Sequence, residues 1–225
     1  MTGYYSKKLS GERLKAMYES ASPGIRQYLQ LEINYARTLV NPNATVLELG
    51  CGYGRIMRQL APYAKKIAGV DTSPESLTLG HEFLNKLANC ELVCADAASL
   101  PYSNESFDVV LCLQNGISAF HVDQKKLIDE ALRVTRQHGL TVFSTYSERF
   151  WPERLAWFEQ QARDGFIGPI DYDKTGKGRI VCTDGFSATT VNIDEFEKLT
   201  SHVQGTVNIF GLDRSSLLCT IRWGK

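Results

Sequence analysis

The sequence has no excess of charge of either sign. Its 25 lysine and arginine residues balance 25 aspartate and glutamate residues, so the formal net charge is +0. Proteins that wrap nucleic acid usually show a basic surplus, because their lysine and arginine side chains neutralise phosphates. The charge balance therefore argues against a nucleic-acid partner.

Long apolar runs are also missing. No stretch approaches the roughly 20 apolar residues of a membrane-spanning helix, and the first residues, MTGYYSKKLSGERLK, lack the apolar run of a secretory signal. The sequence therefore predicts a cytoplasmic protein that has no membrane partner.

Metal-binding patterns are absent as well. The four histidines are scattered, and the spacing of Cys90 and Cys94 is not continued, because Ala97 stands where an iron–sulfur motif needs a third cysteine. No metal site is expected. Cytoplasmic cysteines are usually reduced, and five of the six lie in or beside apolar, strand-like runs, where burial is expected: Cys51, Cys94, Cys112, Cys182 and Cys219.

Apolar strands alternate with amphipathic helices between residues 45 and 146. Strand-like runs such as FDVVLCL and LTVFSTY are almost continuously apolar, as in strands that are buried on both faces. Alternation at this spacing predicts βαβ units. We therefore expect an α/β fold: a doubly wound, Rossmann-like sheet of about seven strands, mostly parallel with an antiparallel C-terminal hairpin.

The pattern changes after the fifth strand. A helix over 152–163, a glycine-containing stretch and a hairpin turning at Asp184-Gly185 predict a small α+β insertion. Since no repeat or long linker divides the chain, residues 1–225 are expected to form a single domain. Within it we predict an N-terminal helical lid (1–40), a cofactor-binding core (41–150), a cap-like insertion (151–192) and a C-terminal helix with a strand hairpin (193–225).

The segment VLELGCGYG, residues 46–54, is the most informative part of the chain. A strand ends in glycines at three alternate positions, and a helix follows. Glycines let the backbone approach a ligand closely, and a helix N-terminus offers free N–H groups. A dinucleotide loop would need its third glycine at position 55, where Arg55 stands. A plain tight turn is the alternative.

The loop Gly50-x-Gly52-x-Gly54, preceded by Glu48, resembles motif I of the class I S-adenosylmethionine-dependent methyltransferases. The resemblance continues through GVDTSP, the acid at Asp96, SFDVVLCLQNGI and EALRVTRQHGLTVFSTY, and so covers about residues 46–146. It is closest to the small-molecule branch typified by ubiquinone and menaquinone biosynthesis methyltransferases.

This resemblance implies S-adenosylmethionine as cofactor and S-adenosylhomocysteine as product. Asp71 would accept hydrogen bonds from the ribose hydroxyls, Asp96 and Ala97 would contact the adenine, and Glu48 would orient the glycine loop. The alternatives are a helix cap for Asp71 and a loop cap for Asp96. The full expected cofactor set is Tyr5, Glu48, Gly50, Cys51, Gly52, Gly54, Asp71, Thr72, Asp96, Ala97 and Leu113.

Methyl transfer is an in-line displacement, which depends on alignment more than on acid–base chemistry. No catalytic residue is assigned. His121 and Tyr146 are candidates because they follow the fourth strand and end the fifth. Tyr4 and Tyr5 resemble an N-terminal aromatic lid. Arg55 could pair with the methionine carboxylate, or it could be a solvated helix residue.

Three absences narrow the acceptor. The chain has no Pro-Cys dipeptide, no Asn/Asp-Pro-Pro-aromatic motif after the fourth strand and no basic patch in its sequence. These absences favour a small-molecule acceptor. The chain is expected to be a monomer or a homodimer. An RNA or protein methyltransferase and a non-catalytic S-adenosylmethionine-binding scaffold or partner subunit are the alternatives.

Overall fold

The computed structural model describes residues 4–224, apart from the side chains of Tyr5 and Ser6. Its main feature is a seven-stranded sheet in the order β3-β2-β1-β4-β5-β9-β8. The strands are β1 (Thr45–Leu49), β2 (Lys66–Asp71), β3 (Cys90–Cys94), β4 (Phe107–Cys112), β5 (Thr135–Tyr146), β8 (Gly205–Gly211) and β9 (Ser216–Trp223), with a separate pair β6 (Ile180–Val181) and β7 (Ser187–Ala188).

Strands β1 to β5 pair in parallel, whereas β9 runs antiparallel to both β5 and β8. The predicted sheet and its antiparallel hairpin are therefore confirmed. The strand order reverses between β1 and β4, and in open α/β sheets such a reversal opens a crevice at the carboxyl ends of the strands.

The helices are α1 (Tyr4–Lys8), α2 (Gly11–Glu19), α3 (Pro23–Leu39), α4 (Arg55–Leu60), α5 (Pro74–Phe83), α6 (Gly116–Ala119), α7 (Gln124–Val134), α8 (Trp151–Arg163) and α9 (Ile193–Thr200). None of the helices described over residues 4–224 is long and apolar enough to cross a membrane.

Several helices begin where the sequence predicts a cap. The side chains of Ser22, Ser73 and Asp123 accept hydrogen bonds from backbone N–H groups in the first turns of α3, α5 and α7. Asn192 and Glu195 form a reciprocal capping box at α9. These local contacts fix the starts of the helices that cover the sheet.

Two predicted boundaries are wrong. The sequence predicts a helix that opens at Asp123 and is ended by Gly139, followed by a strand over 140–146, but α7 ends at Val134 because Thr135 already pairs with Phe107 in the sheet. The ladder between β4 and β5 then shifts register before Val109, so β5 is longer than predicted. The helix expected from Tyr53 begins at Arg55, because Gly54 at φ 84° is its left-handed N-cap.

The sheet is covered on both faces. One core packs α7 and α9 against it through residues such as Leu127 and Phe196, and the other packs α3 and α4 through residues such as Ile33 and Met57. Four of the five cysteines expected in the interior are buried, but Cys94 is exposed because β3 is an edge strand.

A third core joins the N-terminal helices to residues 151–192. Trp157 and Phe158 of α8 pack with Met17, Ile25 and other apolar residues of α2 and α3. The aromatic residues of the insertion were expected to form a small core of their own. They form a shared one, so the insertion and the N-terminal helices are packed together.

Candidate functional site

A single cleft lies at the carboxyl ends of β1, β2 and β4, where the strand order reverses. It encloses about 1220 Å³ of empty space, its open mouth included. Nine of the eleven predicted cofactor residues line it: Glu48, Gly50, Cys51, Gly52, Asp71, Thr72, Asp96, Ala97 and Leu113. The structure therefore brings residues from the ends of four strands, β1 to β4, into one concave surface.

The glycine loop forms the floor of this cleft. The N–H groups of Gly50 and Cys51 both donate to the carbonyl oxygen of Val70, at 2.8 and 3.0 Å, which holds the loop against β2. Gly50 has φ 72°, and a Cβ atom built there would lie 2.4 Å from the Phe120 ring. Glycine is therefore required at position 50 for both conformation and space.

Gly54 has a different position from the other two glycines. It lies outside the lining of the cleft and caps α4, and a Cβ atom there would lie 2.6 Å from a methyl carbon of Leu84. The geometry of Gly54 is that of a packing and capping residue.

Asp71 ends β2 and is fixed from two directions. One carboxylate oxygen accepts the Gly52 N–H at 2.8 Å, and the other accepts the Ser73 N–H at 2.9 Å. Burial raises the pKa of Asp71, and these N–H groups oppose the shift. Because each oxygen keeps a second lone pair, the carboxylate can still accept bonds from two neighbouring hydroxyl groups of a ligand.

Glu48 is the buried acid of β1, and it is 3% exposed. Its Oε2 atom has no hydrogen-bond partner among the described residues. Burial raises the pKa of Glu48 to about 8, although the Arg55 guanidinium opposes this shift. A buried acceptor without a partner is costly, so the cleft has an unmet requirement for a donor or cation at this point.

Asp96 follows β3. One of its carboxylate oxygens accepts the Ala98 N–H at 2.8 Å, which is the loop-capping contact weighed as the alternative from the sequence. The same residue also lines the cleft, as does Ala97. The cap and a ligand contact are therefore compatible, because only one of the two oxygens is engaged.

The sequence predicts an N-terminal lid over residues 1–40, but it does not show which side chains of that segment form a wall of the cleft. This wall, which we call the lid wall, consists of Leu9 before α2 together with Leu14 and Tyr18 of α2. The apolar spacing from Leu14 to Tyr18 was a weak signal for it. The N–H of Gly11 donates to Ser76 Oγ at 3.0 Å, and Ser10 donates to Glu75, so α2 is seated on the start of α5.

Gln114 and Arg55 were not predicted to act together. Both line the cleft, an Arg55 N–H group donates to the side-chain oxygen of Gln114, and the Arg55 guanidinium lies 4.4 Å from the centre of the Tyr18 ring. Arg55 is therefore held at the cleft and is not a solvated helix residue. Its Nε atom has no partner among the described residues.

The two catalytic candidates lie away from the cleft lining. His121 is exposed, at φ 53°. Tyr146 is buried and stacks on Tyr28, with ring centres 4.5 Å apart. The Tyr5 side chain lies outside the described residues, whereas the Tyr4 hydroxyl donates to Asp184 at 2.5 Å. Across the described part of the chain, no group of three or more His, Cys, Asp or Glu side chains could hold a metal ion.

The cleft offers two carboxylates to a ligand. Each oxygen of Asp71 accepts one backbone N–H and keeps a lone pair, and Glu48 Oε2 is an acceptor that nothing in the described chain satisfies. Gly50 and Gly52 have no Cβ atoms, and the Phe120 ring and a Leu14 methyl carbon lie 2.4 and 3.1 Å from the positions that such atoms would take.

The chain is similar in sequence to known methyltransferases. The methyltransferase domain family matches residues 46–139. The chain is 26% identical over 149 residues to 2-methyl-6-phytyl-1,4-hydroquinone methyltransferase of a Synechocystis species, a match that covers 62% of this chain and 46% of that protein. It is 31% identical over 160 residues to malonyl-[acyl-carrier protein] O-methyltransferase of a Marinomonas species, covering 68% and 57% respectively. The chain thus spans about half the length of these curated relatives.

A solved structure shows the same fold. It is the N-methyltransferase NodS from Bradyrhizobium japonicum in complex with S-adenosyl-L-homocysteine, with a TM-score of 0.58 and 15% sequence identity. The match covers 92% of this chain and 90% of that one. At this level of identity the likeness concerns the fold alone.

Proposed function

We propose that this chain, which belongs to the class I S-adenosylmethionine-dependent methyltransferases, transfers a methyl group from S-adenosylmethionine to a small-molecule acceptor. The observation that carries the proposal is the pair of acids at the glycine loop. Asp71 is fixed by the Gly52 N–H, and Glu48 presents a buried oxygen without a partner in the same cleft.

The residues of the cleft fit this cofactor. Asp71 would accept from the ribose hydroxyls, because an ionised carboxylate bonds two neighbouring donors well. Thr72, Asp96 and Ala97 would surround the adenine, and Glu48 would attract the methionine ammonium. Arg55, with its Nε free to donate, would face the methionine carboxylate. When bound, S-adenosylmethionine supplies an electrophilic methyl group on its sulfonium.

The chain contributes orientation and exclusion of water. The glycine loop is pinned to Val70, and the lid wall lies across from it. Holding two reactants in line supplies roughly 7–11 kcal/mol of the barrier reduction in well-oriented reactions. A role for His121 or Tyr146 as a base stays a prediction from the sequence.

The acceptor is a small molecule with an apolar part. The lid wall contributes Leu9, Leu14 and Tyr18 to the lining, and Phe120 and Val122 add further apolar surface, which favours an acceptor with an apolar part. The relatives named above methylate a phytyl hydroquinone and a malonyl group on a carrier protein, according to their names. A monomeric or homodimeric state, a cytoplasmic location and the exclusion of nucleic acid are part of the proposal and rest on the sequence.

The test is a transfer experiment with methyl-labelled S-adenosylmethionine. The protein is incubated separately with a small-metabolite extract, total RNA and total protein, and each pool is analysed for label by mass spectrometry. We expect label in the metabolite pool only, and much less label with Asp71→Ala when the cofactor concentration is near the Kd of the wild type. Label in RNA or protein would overturn the acceptor class, and absence of S-adenosylmethionine binding would overturn the function itself.

A further inference from the structure

A fully buried acid lies beneath the cleft and is not used by the proposed chemistry. Glu32 of α3 has 0% exposure. Its carboxylate accepts hydrogen bonds from the Ser144 hydroxyl at 2.6 Å, from the Gln114 N–H at 2.8 Å and from the Ser216 hydroxyl. A buried carboxylate is costly unless it is satisfied in this way, and its donors come from β5, β9 and the turn after β4.

The turn that Glu32 contacts is strained. Gln114 has φ 54° and Asn115 has φ 66°, so two consecutive residues that are not glycine adopt the left-handed region. Such backbone persists only where its surroundings fix it, and it concentrates at functional sites. Here the Gln114 N–H is held by both Glu32 and Ser144, the latter at 2.7 Å.

The second residue of the turn is fixed from the other side. The Asn115 side chain accepts from the Thr145 hydroxyl at 2.7 Å and donates to the Thr189 carbonyl oxygen at 2.9 Å. Only Gln114 is left to present its side chain to the cleft. The turn is therefore clamped by buried polar groups, and the Gln114 side chain lies in the lining of the cleft.

Gln114 in turn holds the cleft wall. Its side-chain oxygen accepts from Arg55, and the Arg55 guanidinium stacks on Tyr18 of α2. Its side-chain N–H donates to the Leu29 carbonyl oxygen at 3.3 Å. A continuous series of contacts thus runs from Glu32, through Gln114 and Arg55, to the lid wall.

We propose that Glu32 is a positioning residue for cofactor binding: it fixes the Gln114 turn and, through Gln114 and Arg55, sets the position of the lid wall. The part that concerns the cofactor rests on the proposed function. The part that concerns the turn and α2 does not, and it can be tested without any ligand.

The test compares Glu32→Gln with Ser216→Ala. Glu32→Gln keeps the shape and removes the charge that bonds to the turn, whereas Ser216→Ala removes a bond on the far side of the same carboxylate. Each variant is measured by its melting temperature, by calorimetric titration with S-adenosylhomocysteine, and by hydrogen exchange of peptides that cover 11–19 and 113–119.

For Glu32→Gln we expect affinity for S-adenosylhomocysteine to fall about tenfold, the effect of weakening one charge-assisted bond. Exchange should also rise in both peptides in the absence of ligand. Ser216→Ala should lower the melting temperature but keep affinity within about twofold of the wild type. Unchanged affinity for Glu32→Gln, or exchange that rises evenly over the whole chain, would overturn the proposal, because a merely structural acid would behave in that way.

Ser144→Ala keeps the proposal falsifiable if Glu32→Gln does not fold. Ser144 bonds both Glu32 and the Gln114 N–H, so its variant should reproduce the affinity loss and the local exchange. Behaviour like that of Ser216→Ala would overturn the proposal. If the wild-type protein fails to bind S-adenosylhomocysteine, the proposed function is wrong, while the exchange of 11–19 still decides the role of Glu32 in the turn.

Discussion

The two sides of the cleft are built in different ways. The floor at Gly50, Gly52 and Asp71 is held by backbone groups: the loop N–H groups bond to Val70, and Asp71 accepts from the backbone. The lid wall is held mainly by side chains from distant parts of the chain. This difference suggests that one side is specialised for a constant ligand and the other can adapt to an acceptor.

The contacts of the N-terminal helices that carry the lid wall illustrate the contrast. Tyr4 and Lys8 both bond to Asp184, the latter through the Asp184 carbonyl oxygen at 3.1 Å. Arg13 donates to the Gly165 carbonyl oxygen, and the Gln160 side chain donates to that of Ser20 at 2.8 Å. These residue pairs join the N-terminal helices to the insertion after β5. A change in one segment is therefore expected to shift the position of the other.

The largest effect is expected on the floor. Gly50→Ala forces a side chain into a left-handed position and against the Phe120 ring. We expect affinity for S-adenosylmethionine to fall about 100-fold or more, because the loop must move out of place. Calorimetric titration measures this loss.

Gly165→Ala is the matched control. Gly165 has φ +74°, close to that of Gly50, but a Cβ atom there meets nothing within 4 Å. Gly165→Ala should therefore lower the free energy of unfolding by roughly 1–2 kcal/mol and leave affinity for S-adenosylmethionine unchanged. Equal affinity losses in the two variants would mean that global strain, and not the floor of the cleft, controls binding.

Asp71→Ala is the next variant in order of effect. It removes the acceptor proposed for the ribose and frees the Gly52 and Ser73 N–H groups, so affinity for S-adenosylmethionine should fall about 10- to 100-fold. Asn192→Ala, which removes the capping box of α9 at a residue outside the cleft lining, should lower stability by about 1 kcal/mol and leave affinity unchanged. Unchanged affinity for Asp71→Ala would mean that Asp71 only caps the start of α5 and does not bind the cofactor.

A pH dependence is expected from Glu48. Its pKa is raised by burial to about 8, so the side chain is protonated in the free protein at neutral pH. A cationic ligand group favours the carboxylate, so affinity for S-adenosylhomocysteine should rise about tenfold or more between about pH 6.5 and pH 8.5. Glu48→Gln should flatten this profile, and a wild-type profile that is already flat would contradict the prediction.

The same raised pKa has a consequence for stability. Because the folded-state pKa lies above the unfolded one, the contribution of protonated Glu48 is complete below the unfolded pKa and is lost as pH rises through about 8. The melting temperature of the wild type should therefore fall relative to that of Glu48→Gln as pH increases from the ordinary glutamate pKa of 4.5 to about 8. A constant difference would contradict it.

The smallest effect is expected at the lid. Asp184→Asn weakens the bonds from Tyr4 and Lys8 on a partly exposed pair, so affinity should fall only about threefold. Hydrogen exchange over residues 4–19 should rise. Glu153→Gln, which breaks the exposed pair with Arg214, is the control and should leave this exchange unchanged. Equal exchange in Asp184→Asn and wild type would show that the bonds to Asp184 do not hold the N-terminal helices in place.

The floor could be predicted from the sequence because its determinants are local. Gly50 and Gly52 need their conformations within a few residues of one another, and Ser73 and Asp123 cap helices that start beside them. A strand that ends in such a turn has few other ways to fold. The mostly parallel pairing of the sheet follows from the same alternation of strands and helices.

The lid wall and the Gln114 turn could not be predicted in this way. Glu32 meets Gln114 only because α3 packs beside the end of β4, and Tyr4 meets Asp184 across most of the chain. No local pattern marks such pairs. The buried Arg154, 1% exposed and 5.0 Å from the centre of the Tyr146 ring, gives no sequence signal either.

Direct binding of the cofactor tests the central claim. Calorimetric titration of the purified chain with S-adenosylhomocysteine should show one saturable site per chain, and NAD should produce no binding heat. Asp71→Ala should weaken the first titration while its melting temperature shows a folded protein. Binding of NAD together with no response to S-adenosylhomocysteine would contradict the account.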